Sequence, residues 1–137
     1  MYILKKIFRV PIGHRLSKHE GLCKFVHGHN LKIEIEICSE VLNKNDMVID
    51  FSDVKNIVND VLASWDHALF LNIFDKSIRD TSDRTLTVSG DPTAELLSKK
   101  LYDILKEDFE KSGIDLVSVT IWESDDACVS YREMKYE

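Results

Sequence analysis

The chain has 137 residues, 44 % hydrophobic and 31 % charged, with only two prolines. This is the composition of one globular domain spanning residues 1–137, which excludes a disordered or fibrous chain. Eighteen basic against 24 acidic side chains leave a net charge of −6, which argues against wrapping nucleic acid or coating an anionic membrane but allows a local basic pocket. No apolar run reaches the roughly 18 residues that a bilayer span needs. The opening Met1-Tyr2-Ile3-Leu4-Lys5-Lys6 turns basic without the apolar core of a signal peptide, so a cytoplasmic protein is expected.

The first predicted element is a strand over residues 2–14. Its even positions are Tyr2, Leu4, Lys6, Phe8, Val10, Ile12 and His14, apolar but for Lys6 and the final His. A second strand covers residues 27–38, with His27, His29, Leu31, Ile33, Ile35 and Ile37 on one parity and Lys32, Glu34 and Glu36 on the other. Such alternation marks a sheet with one covered face. Asp50-Phe51-Ser52-Asp53 offers N-cap residues for a helix whose stripe is Val54, Ile57, Val58, Val61, Leu62 and Trp65. Residues 72–91 read as a long polar segment with room for a short strand at 85–88. Asp91-Pro92-Thr93 reads as a cap followed by Pro in the first turn of a second helix. That helix carries Ala94, Leu97, Leu101, Ile104 and Leu105 on its stripe and stops near Gly113. Val117, Val119 and Ile121 alternate with polar neighbours in a third main strand that ends at Glu123, and residues 127–134 close the chain as a last strand. The order ββααββ predicts an α+β fold, a four-stranded antiparallel sheet with two helices on one face. The edges of so small a sheet invite pairing between subunits.

Chemistry concentrates at His27-Gly28-His29. Residues two apart on a strand share a face, so both imidazoles project together. His14 ends the preceding strand on its apolar parity. Antiparallel pairing of the two strands would bring three imidazoles to one end of the sheet, and three nitrogen ligands with an open position is the pattern of a catalytic zinc site. A buried histidine cluster without metal would be costly to desolvate. Cys23, Cys38 and Cys128 form an odd set without C-x-x-C spacing, which speaks against a disulfide framework. One is a candidate reactive thiol, and the others read as small buried hydrophobes. Cys23, four positions before His27, reads either as a thiolate activated beside a cation or as a fourth ligand. Asp66-His67 reads as an acid–base pair or as a helix-end ion site, since neighbours on a helix do not face each other. Glu123 reads as a carboxylate gripping the amide edge of a heterocycle, or as a strand end reaching solvent. His19 reads as surface.

Taken together, these residues resemble the family of 6-pyruvoyl- and 6-carboxy-tetrahydropterin synthases. The resemblance rests on Gly13-His14-Arg15-Leu16, Cys23-x-x-x-His27-Gly28-His29-Asn30, Met47-Val48-Ile49-Asp50-Phe51, Asp66-His67 with Leu71-Asn72, Pro92-Thr93-Ala94-Glu95, and Glu123 with Ala127. These segments span nearly the whole chain in the family's order. The resemblance implies the T-fold, assembly as a trimer or a dimer of trimers, and active sites between subunits. It implies zinc on His14, His27 and His29, and Cys23 as catalytic thiol. Asp66 and His67 would be the second proton-transfer group, and Glu123 the pterin anchor, with Thr93 and Glu95 supporting the pocket.

The implied substrate is a pterin triphosphate, 7,8-dihydroneopterin triphosphate. The Cys-x₃-His-Gly-His spacing resembles the carboxy-type branch, which forms 6-carboxy-tetrahydropterin on the route to queuosine with loss of triphosphate and acetaldehyde. The pyruvoyl type, which eliminates triphosphate, is the near alternative. A folate-linked branch carrying Glu in the thiol's role ranks below it, because Cys23 is present beside Glu20. From another class comes a noncatalytic T-fold scaffold with structural zinc. Four departures stand out: Val10-Pro11-Ile12-Gly13 before His14, Trp65 before Asp66, Ser124 after Glu123, and the long polar loop Asn72–Asp91.

Overall fold

The computed structural model describes residues 1–78 and 83–134. The elements run β1 (Tyr2–His14), β2 (His27–Ser39), α1 (Phe51–Leu62), β3 (Ala68–Asn72), β4 (Thr85–Val88), α2 (Ala94–Lys111), β5 (Asp115–Ser124) and β6 (Ala127–Tyr131). The fold is α+β with two helices, but the sheet has six strands in the order β4-β3-β1-β2-β5-β6. This corrects the expected four-stranded antiparallel sheet. β3 runs parallel to β1, pairing Ile12 with Ala68 and His14 with Phe70, and β4 runs parallel to β3. The reason is local: Ala68-Leu69-Phe70-Leu71 is a short apolar run without alternation, and such a strand cannot be told from a buried helix end by periodicity. The short strand at 85–88 lies where expected, and residues 79–82 of the long polar segment fall outside the described residues.

The alternating strands bury the faces they announce. Phe8, Val10 and Ile12 of β1 and Leu31, Ile33, Ile35 and Ile37 of β2 meet Val54, Val58 and Leu62 of α1 and Leu97, Leu101, Leu105 and Phe109 of α2 in one core. Asp50 caps α1, its Oδ1 accepting from the Ser52 backbone N–H at 2.8 Å. Helix α1 stops at Leu62, so Trp65 joins the core from the following turn, edge-on to Phe70 at 4.8 Å. Helix α2 turns Phe109 inward and leaves Ile104 at the surface, 37 % exposed, contrary to the expected stripe. Its end is a Schellman closure: Gly113 at φ +72° donates to the Glu110 carbonyl and Ile114 to that of Phe109. In β5 a bulge pairs Ser118 with Glu36 and Leu116 with Ile37, so Leu116, not Val117, joins Val119 and Ile121 in the core. The last strand ends at Tyr131 rather than at residue 134.

Candidate metal centre and active site

β1 and β2 pair along thirteen positions, which sets His14 opposite His27 and Ile12 opposite His29. Gly13 faces Gly28, and a Cβ on Gly28 would come within 3.2 Å of the Ile12 carbonyl. The missing side chain keeps the two strands close at this end. The three imidazoles therefore converge, with ring centroids 4.5 to 5.0 Å apart. One nitrogen from each lies within 4.8 Å of the others.

The tautomers follow from the outer contacts. His14 Nδ1 lies 2.7 Å from the Pro92 carbonyl and His27 Nδ1 lies 2.7 Å from the Phe25 carbonyl. A carbonyl only accepts, so both Nδ1 atoms carry hydrogen, and in the neutral rings both Nε2 atoms present lone pairs. Those two Nε2 atoms stand 3.0 Å apart. Two lone pairs at that distance repel unless a cation or a proton lies between them. Tetrahedral ligation at about 2.0–2.1 Å would space the nitrogens about 3.3 Å apart, so the donor set fits a divalent ion. Carbonyls that accept the outer N–H of ligating histidines are the usual support of such sites. His14 is 1 % exposed. Burial, the largest influence, pushes its pKa down, and the neighbouring His27 and His29 add to that, against the opposing Pro92 carbonyl and Glu123. The outcome favours the neutral ring that ligation needs.

Cys23 sits half-buried in a short 3-10 turn, Leu22–Lys24, just before β2. It is not a member of the close ligand group, which among the described residues consists of the three histidines. Cys38 is buried as expected, whereas Cys128 is exposed, contrary to its reading as a buried hydrophobe. His19 is at the surface, as expected.

Asp66 and His67 lie beyond α1, in the turn that leads to β3. His67 adopts φ +60°, and its Nδ1 contacts Asp66 Oδ1 at 2.7 Å. Leaving the helix is what lets adjacent side chains meet. The turn is tied to β1 by the His67 N–H, which donates to the Pro11 carbonyl at 2.9 Å. The pair is open to solvent, 51 % and 78 % exposed for the Asp66 and His67 side chains.

Thr93, Glu95 and Glu123 come together in a cleft of about 220 Å³ that also touches Leu16 and Cys128. Glu123 borders a second cleft of about 390 Å³, with His29, Arg9 and Lys32 in its wall. Glu123 thus stands between the histidine centre and the Thr93 cleft. Thr93, not Asp91, caps α2, accepting from the Leu96 N–H at 3.2 Å, and Pro92 precedes the cap. Asp91 is instead buried and accepts from Ser17, Lys18 and Asn72. The sequence marks Asp91 as a helix cap and carries no sign of these distant partners. Of the cations near the histidines in sequence, Arg15 is committed to Asp75 at 2.6 Å and Lys24 lies 5.2 Å over the Phe25 ring.

Among known proteins, residues 3–134 match the family model described as 6-pyruvoyl tetrahydropterin synthase. The 6-carboxy-5,6,7,8-tetrahydropterin synthase of Haemophilus influenzae is 31 % identical, over 97 % of this chain and 100 % of its own length. The enzyme of the same name from Aquifex aeolicus is 29 % identical, over 95 % and 97 %. Two solved structures share the fold. An uncharacterized protein of Wolinella succinogenes superposes with a TM-score of 0.83 at 20 % identity, covering 97 % of this chain and 98 % of its own. The Caenorhabditis elegans 6-pyruvoyl tetrahydropterin synthase does so with 0.74 at 22 %, covering 97 % and 96 %.

Proposed function

This chain belongs to the 6-pyruvoyl tetrahydropterin synthase family, and from that premise we propose that it converts 7,8-dihydroneopterin triphosphate and water to 6-carboxy-5,6,7,8-tetrahydropterin, releasing triphosphate and acetaldehyde. Relatives that carry the carboxy-type name across nearly the full chain support that branch. The observation that carries the reading is the pair of Nε2 atoms 3.0 Å apart, each ring held by a main-chain carbonyl. His14, His27 and His29 would hold zinc, which when bound supplies Lewis-acid polarisation of the side-chain hydroxyls.

The remaining chemistry falls to the chain's own groups. Glu123 is suited to accept two hydrogen bonds from the amide and amino edge of the pterin, with Thr93 and Glu95 in the same cleft. Cys23, in the turn just before β2, would move a proton at the substrate side chain. His67, oriented by the Asp66 carboxylate, would serve as the second acid–base group. Its exposure suits a site completed by another copy of the chain, a trimer or a dimer of trimers. The edge strands β4 and β6 and the exposed Phe25 and Phe74 are surfaces such an assembly would cover.

The decisive experiment incubates purified protein with 7,8-dihydroneopterin triphosphate and identifies the products by mass spectrometry. Acetaldehyde with the 6-carboxy product is expected. A pyruvoyl product would move the chain to the other branch, and no turnover by zinc-loaded protein would favour a scaffold. Cys23→Ala is expected to keep the metal and abolish turnover. Release of the metal instead would make Cys23 a ligand.

A further inference from the structure

Asp91 is 9 % exposed, and among the described residues its partners are neutral donors. The Ser17 hydroxyl donates to Oδ1 at 2.5 Å, the Lys18 N–H to Oδ2 at 2.8 Å, and the Asn72 amide to Oδ1 at 3.1 Å. A buried carboxylate is costly unless its oxygens are filled with donors. Burial alone would raise its pKa, but the bonds from Ser17, Lys18 and Asn72 outweigh that and bring it down to about 2.

These donors come from separate segments that meet beside the histidines. Ser17 and Lys18 follow β1 just beyond His14, and Asn72 ends β3, whose Phe70 pairs with His14. Asp91 itself leads into Pro92, whose carbonyl receives the His14 Nδ1–H. Proline has no N–H and a nearly fixed φ. The Pro92 carbonyl is therefore placed by the residues on either side, and the Thr93 N–H folds back onto the Asp91 carbonyl at 2.8 Å. A displaced Asp91 moves the Pro92 carbonyl with little freedom to compensate.

We propose that Asp91 is a positioning residue for the histidine centre: by gathering Ser17, Lys18 and Asn72 onto one carboxylate, it holds the Pro92 carbonyl that aims His14. This rests on the reading of the three histidines as a metal site. Asp91→Asn keeps the size but turns an NH₂ group against at least one of the donors, so one contact breaks.

The test titrates the purified, metal-free protein with Zn²⁺ against a chromophoric chelator and records the ligand-field spectrum with Co²⁺, far below the unfolding temperature. Val58→Ala, a core change in α1, serves as a destabilised control. Wild type and Val58→Ala should bind one ion with equal affinity and the same Co²⁺ spectrum. Asp91→Asn, folded by circular dichroism, should bind about tenfold more weakly, at the low end of outer-shell effects, with a shifted spectrum. Unchanged affinity and spectrum would overturn the proposal. Should Asp91→Asn not fold, Ser17→Ala removes one donor and should weaken binding about two- to threefold; no change there overturns it equally. If wild type binds no ion and His27→Ala behaves like it, the metal reading itself has failed.

Discussion

His14 ends β1, and His67 stands one residue before β3, the strand that runs parallel to it. Yet His14 is 1 % exposed and the His67 side chain 78 %. The buried ring is held from outside by the Pro92 carbonyl, and Asp91 behind it is held by three further hydrogen bonds. Among the described residues the exposed ring has one side-chain hydrogen bond, to the residue beside it. The difference matches the two kinds of work proposed for them. A metal site needs lone pairs aimed before the ion arrives, which burial and backbone hydrogen bonds provide. A proton-transfer pair needs access to substrate and takes the rest of its surroundings from what binds over it.

The largest test of this contrast is at the buried end. His27→Ala should lower zinc affinity by more than about a hundredfold, beyond the effect of an outer partner, as read by metal analysis after dialysis. Retention of one zinc per chain would remove His27 from the ligand set. At the exposed end, His67→Asn should cut turnover about 10²- to 10⁴-fold with zinc content and melting temperature unchanged. Asparagine is chosen because it tolerates the positive φ of this position. Loss of metal in that variant would join the two regions that the structure separates.

Glu123, between the clefts, should behave as neither. Glu123→Gln should weaken pterin binding by about 1.5–3 kcal/mol, the worth of a charged hydrogen bond, measured by calorimetry with a nonreactive pterin. Zinc content should not move, and unchanged pterin affinity would end the anchoring role.

The smallest effect is on acid stability. Asp91 is held at about 2, against 3.8 for a free aspartate. Its carboxylate therefore stabilises the fold fully above about pH 4, and that contribution is lost as pH falls towards 2. The difference is worth about 2 kcal/mol. Wild type should lose this much more stability than Asp91→Asn between pH 5 and 2 in urea unfolding. Parallel pH curves would show that Asp91 is not the group responsible.

Much of this protein is legible without coordinates because its signals are local. Alternation in residues 2–14 and 27–38 sets which faces of β1 and β2 are buried, and His14, His27 and His29 fall on the buried parity. Asp50 before Ser52 places the start of α1, and Gly113 the end of α2. Where a signal has no period, the sequence is silent: residues 68–72 announce no strand, and one bulge residue in β5 exchanges Val117 for Leu116 in the core. What only the tertiary structure decided are pairings between distant groups. His14 and Pro92 are 78 residues apart, and Ser17 and Asp91 are 74 apart. A periodic pattern states which side of an element is dry. It does not state which carbonyl will face an imidazole, because that depends on how the loops at one end of the sheet pack together. Residue types and spacing therefore determined the histidine cluster, and packing alone decided how the His14 ring is aimed.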